Sequence, residues 1–138
     1  MFARSKTETR EFFRATWQKR CAGVLLEPLE ALVADVIAAH PEYHALIADG
    51  SPAATPDQDP AHNPFLHLGL HVALHEQLRS DRPAGLRAEY QRLNALAMDE
   101  HATEHRLMQV LAEVLWAAQA AGRMPDEQSY LASLRKLR

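Results

Sequence analysis

Residues 63–80 read NPFLHLGLHVALHEQLRS, and this stretch decides the fold. Asn63 followed by Pro64 is a helix start, an N-cap and then a proline whose fixed φ suits the first turn. From Pro64 through Leu74 there is no Asp, Glu, Lys or Arg. A helix apolar around its whole girth is a buried one, so Pro64 to Leu78 is expected to be the central helix. Yet Phe65 to Leu74 is too short, and too interrupted by His67 and His71, to approach the roughly 20 residues of a membrane span.

Working outward, Ala and Leu dominate and apolar residues recur at three and four, with little period-two alternation. The expected fold is an all-α, single-domain helical bundle of five to six helices covering residues 1–138. A first helix is expected from about Thr7 to Cys21, with Phe13 and Trp17 inward and Gly23 ending it. A second opens at Pro28, carries Leu29, Leu32, Val33, Val36 and Ile37 on one side, and breaks before Pro41. A short helical turn over Pro41 to Ala48 precedes the Pro-rich connector GSPAATPDQDPAHNP (50–64). After the central helix, Asp81 and Pro83 restart the chain as a helix to about Leu93. Asp99 or Glu100 opens another that ends before Gly122, and Pro125 with Asp126 opens the last.

The bulk numbers exclude several functions. The 138 residues suit one core, and 47% hydrophobic with 24% charged residues is a globular composition. A net charge of −3 and no Lys/Arg run leave no field for a phosphate backbone, so nucleic acid is not an expected partner. The charged start MFARSKTETREFF is unlike a secretory signal, and the lone Cys21 fits a reducing compartment; a cytoplasmic protein is expected, with a homo-oligomer left open.

Seven of the eight histidines fall into three groups with four-residue spacing: His40 and His44; His67, His71 and His75; His101 and His105. Residues i and i+4 stack on one helical face, so each such pair sends two imidazoles in one direction. Buried imidazoles need a shared polar network or a shared ion. On the helix after Asp99 the apolar stripe is Leu107, Met108, Leu111, Val114, Leu115 and Ala118. Glu104 projects into that stripe with Glu100 beside it. A carboxylate aimed at a core needs a cation. The expected metal ligands are therefore His67, His71, Glu104 and His105, with His40, His44 and Glu100 as additional ones. His40 is equally readable as a helix-end cap, Glu42 and Tyr43 as surface and packing residues, and His62 as solvated.

The expected cofactor is a divalent transition metal: iron, zinc or manganese. Such a site suits a metal-dependent oxidoreductase or hydrolase. The competing readings are a non-enzymatic interaction protein with a satisfied His/Glu core, and a binder of haem or another cofactor. There is no Glu-x-x-His pair, no His-Glu-x-x-His, no Gly-rich phosphate loop, no Cys pair and no nucleophile elbow.

The strings HPEYH (40–44), NPFLHLGLH (63–71), EQ (76–77), DRPAG (81–85), EHRLM (104–108) and LWAAQAAG (115–122) occur in order along nearly the whole chain. With them the sequence resembles a bacterial family of uncharacterised proteins, domain of unknown function eighteen forty-one. The resemblance implies a small bacterial helical domain and transfers no catalytic residue. It places His75 and His101 where the family pattern is looser, which favours His67, His71, Glu104 and His105.

Overall fold

The computed structural model describes residues 6–49 and 64–138. Asn63, His62 and most of the Pro-rich connector lie outside them. Seven α-helices and no strand occur among the described residues: α1 (Lys6–Cys21), α2 (Pro28–Ala38), α3 (His44–Asp49), α4 (Pro64–Ser80), α5 (Leu86–Ala97), α6 (Glu100–Ala121) and α7 (Glu127–Arg135). The expected all-α class holds, with seven helices rather than five to six. The added helix comes from the short turn after Pro41, which divides into one 3-10 turn, Pro41–Tyr43, and the separate α3.

The helix ends follow from local chemistry. Gly23 at φ 72 closes α1, with the Val24 N–H donating to Lys19 O at 3.0 Å and the Gly23 N–H to Arg20 O at 3.2 Å. Gly122 at φ 65 closes α6 in the same way, through Arg123 N–H to Ala118 O and Gly122 N–H to Gln119 O. Both are left-handed caps that satisfy carbonyls a helix end would strand. Asp99 and Asp126 accept the first N–H groups of α6 and α7. α5 starts later than Pro83 suggests, because Gly85 at φ 101 still belongs to the turn, and it runs on to Ala97 before Met98 at φ 54.

The chain divides into two compact units, Met1–Val72 and Ala73–Arg138, and the boundary falls within α4. In the first unit α1 packs on α2 and α3. Its core is Phe13, Leu32, Val33, Val36, Ile37, Ile47, Phe65, Leu68 and Val72, all buried. Phe13 and Phe65 stack at 6.2 Å, tying the start of α4 to α1. Lys19–Glu30 and Arg20–Asp35 ion pairs link α1 to α2 at 2.6 and 2.9 Å.

In the second unit α5, α6 and α7 pack on one another around Leu86, Leu93, Leu107, Leu111, Leu131 and Leu134. Arg92 fastens the end of α7 by donating to Leu134 O and Leu137 O, both at 3.0 Å. Tyr130 donates to Gln77 Oε1 at 2.9 Å, and burial pushes its phenol well up from the ordinary value.

Every residue from Leu68 to Leu74 is buried, histidine included, as the charge-free stretch requires. Leu66, one turn before Leu70, is half-buried. No helix of the described residues is long and apolar enough to cross a membrane.

Candidate metal centre

The first cluster begins at the C-terminus of α2. A helix leaves its last carbonyls without intrahelical donors, and Pro41 disfavours the α conformation in the residue before it. His40 accordingly leaves the helix at φ −124, ψ 69. Its side chain turns back, and Nδ1 lies 2.8 Å from Val36 O. His44, at the start of α3, brings Nε2 to 2.8 Å from Ile37 O. A carbonyl only accepts, so the proton sits on Nδ1 of His40 and on Nε2 of His44. The basic nitrogen of neutral His40 is therefore Nε2. The His44 ring lies against Trp17 of α1 at 4.4 Å, which gives it a packing and capping role.

His67 and His71, one turn apart on α4, meet His40. Ring centroids are 4.9 Å apart for His67 and His71, 5.1 Å for His40 and His67, and 4.6 Å for His40 and His71. One ring nitrogen from each of the three lies within 4.8 Å of those of the others. Two nitrogens bound tetrahedrally to zinc at 2.0–2.1 Å stand about 3.3 Å apart, so rotamer adjustments of an ångström or so would bring these rings to one ion. His40 and His71 are 4% and 2% exposed, which removes competing bulk water from most of the cluster. Three imidazoles make a donor set suited to zinc, iron, copper or nickel rather than to magnesium or calcium. The hydrogen bond from His40 Nδ1 to a backbone carbonyl is the outer contact that fixes a metal-binding tautomer.

Tyr43, from the 3-10 turn, lies parallel to the His40 ring, 5.7 Å away with 6° between the planes. It also stands edge-on to His67 at 6.1 Å. Burial raises its phenol above the ordinary value, with the adjacent Glu42 carboxylate adding to the shift.

The second cluster belongs to the second unit. α6 begins at Glu100, which is exposed in its first turn, so Glu104 falls one turn further in. The Glu104 side chain is 14% exposed, and its Oε1 lies 3.1 Å from His75 Nε2. His101 and His105 sit one turn apart on α6 with ring centroids 4.2 Å apart, His101 exposed and His105 half-buried. Tyr90 of α5 has its phenol raised by burial first, then by the carboxylates of Glu104 and Glu100.

Of the residues expected from the sequence, His40, His67 and His71 come together, and Glu104 is held close to the core as its position in the apolar stripe predicts. His44 is seated between Trp17 and a carbonyl, and Glu100 is exposed. Sequence reasoning set His75 aside, although it stands one turn beyond His71, and that spacing was the available signal. It reads Glu42 and Tyr43 as surface and packing residues, and Tyr43 does pack against the first unit's core, but its stacking on His40 is not readable from HPEYH.

The architecture is thus an all-α chain carrying a three-imidazole cluster in one unit and a His–Glu pair in the other. The family model described as Domain of unknown function (DUF1841) matches residues 5–136, and the chain belongs to that family. No curated protein and no solved structure matches the chain.

Proposed function

We propose that this chain is a metal-binding helical protein in which His40, His67 and His71 supply imidazole nitrogens to one divalent transition ion. The observation that carries this reading is the approach of the three ring nitrogens to within 4.8 Å, two of the rings being almost fully buried. Zinc and iron suit three nitrogens better than manganese, which favours carboxylate and water oxygens. An ion so held would act as a Lewis acid or activate a bound water, the chemistry of a hydrolase or an oxygen-using oxidoreductase. The sequence-based expectation adds Glu104 and His105 to the ligand set. Metal content of Glu104→Gln and His105→Ala decides that point.

The test uses the full chain without a histidine tag, stripped with chelator and titrated with Zn2+, Fe2+ under anaerobic conditions, and Mn2+. Uptake of one zinc or iron ion per chain, with weaker manganese binding, is the expected result. No uptake of any of the three contradicts the reading.

A second reading has its own observation. His40 and His44 both donate to carbonyls at the end of α2, which is what histidines of a structural polar core do. On that reading the protein is a non-enzymatic interaction module, and chelator leaves its stability unchanged.

A further inference from the structure

The metal reading names the ligands but not what holds them in register. Imidazole rings on rotatable side chains bind tightly only when their planes are fixed before the ion arrives. His67 and His71 are set by the turn-to-turn geometry of α4. His40 has no helix beneath it, since it lies at the junction between α2 and the 3-10 turn. Its Nδ1–H bond to Val36 O holds one edge of the ring. A bond at that nitrogen holds the edge of the ring, and a neighbouring ring parallel to it bears on its plane.

We propose that Tyr43 is the positioning residue of the centre, its ring setting the plane of His40 and bracing the edge of His67. This role rests on the metal reading above. The parallel arrangement with His40, 6° between planes, and the T-shaped contact with His67 put one aromatic ring against two of the three ligands. The local sequence explains the placement. Pro41 starts the 3-10 turn, the Tyr43 N–H donates to His40 O at 3.0 Å, and this tight turn folds the tyrosine ring back over the residue three positions before it. Offset stacking is a property of the ring and not of the hydroxyl, so the role should survive replacement by phenylalanine and fail with an aliphatic side chain.

The experiment compares zinc affinity, by competition with a chromophoric chelator, in the unchanged full chain, Tyr43→Phe, Tyr43→Leu and Tyr43→Met. Tyr43→Phe should bind within about threefold of the unchanged chain, and the two aliphatic variants about 10- to 100-fold more weakly, the range found when outer contacts of metal ligands are removed. The visible spectrum of bound Co2+ supplies a readout that a merely structural role would not move: Tyr43→Phe should keep the bands of the unchanged chain, and the aliphatic variants should shift or broaden them. Tyr43 is only half-buried, and circular dichroism of the metal-free variants checks that they fold. Equal affinity and spectra in all four proteins overturn the positioning role while leaving the metal reading intact. Equal weakening in Tyr43→Phe and Tyr43→Leu overturns it in favour of a role for the hydroxyl. Absence of zinc binding by the unchanged chain overturns the metal reading and this role together.

Discussion

The two units use histidine in opposite ways. In the first, three imidazoles face one another, and the partner of His40 is a backbone carbonyl that fixes which nitrogen is basic. In the second, His75 meets a carboxylate, with side-chain exposures of 35% for the histidine and 14% for Glu104. A buried group of nitrogen donors suits a soft or borderline cation. A partly exposed His–Glu pair is already an ion pair when the histidine is protonated, and solvent and salt weaken it. The difference teaches that histidine count is a poor guide to function, whereas what each ring nitrogen faces is a good one.

The largest effect that sharpens this comparison comes from the packing beneath the imidazole cluster. Leu68 is fully buried one residue from His67, so Leu68→Ala should cost about 2–5 kcal/mol by urea unfolding, while Leu25→Ala, 94% exposed, should stay within about 0.5 kcal/mol. Equal effects of the two would mean that the core assigned to the first unit does not carry its stability.

In the second unit, removing the α6 cap with Asp99→Ala should cost about 0.5–2 kcal/mol, since Asp99 accepts from His101 N–H and Ala102 N–H. Loss of helix signal on mild heating reports it. A smaller effect is expected from the His75–Glu104 pair. A double-mutant cycle on His75→Ala and Glu104→Gln should give a coupling of about 0.2–1 kcal/mol that shrinks as salt rises. Chelator should leave this coupling unchanged. A coupling that ignores salt and disappears with chelator would make the second cluster resemble the first.

The smallest effect concerns acid. The Asp126 carboxyl is held below its ordinary value, first by the Ser129 hydroxyl, then by the Ser129 N–H. A depressed folded-state value gives stability that is present above the unfolded carboxylate value near 3.9 and is lost as pH falls through the lower folded one. Thermal melts between about pH 4 and pH 2 should therefore fall more steeply for the unchanged chain than for Asp126→Ala. Identical slopes would contradict the assignment.

Much of the fold is legible in the sequence because helix ends are local. Asp99, Gly122 and Asp126 act within one turn of themselves, and a reader can place α6 and the start of α7 from them alone. α5 is misplaced at its start because Pro83 resembles a first-turn residue, while Gly85 at φ 101 keeps the chain in a turn for two residues more. The candidate centre is legible in part. The spacing of His67 and His71 puts them on one face whatever else happens, and His40 follows the inner face of α2. His44 has the same spacing from His40, but the 3-10 turn Pro41–Tyr43 and not an α-helix joins them, so the i, i+4 rule does not apply and the ring goes to Trp17 and Ile37 O. Tyr43 was beyond reach for the complementary reason, because only the 3-10 turn brings its ring over His40.

The most direct test of the central claim is the metal content of three untagged proteins purified and reconstituted identically: the unchanged chain, His40→Leu and His101→Ala. His40 is buried in the three-ring cluster, and His101 is exposed on α6. The account predicts about one zinc or iron ion per chain in the unchanged protein and in His101→Ala, and essentially none in His40→Leu. Equal metal content in all three, or loss of the ion from His101→Ala but not from His40→Leu, would contradict it.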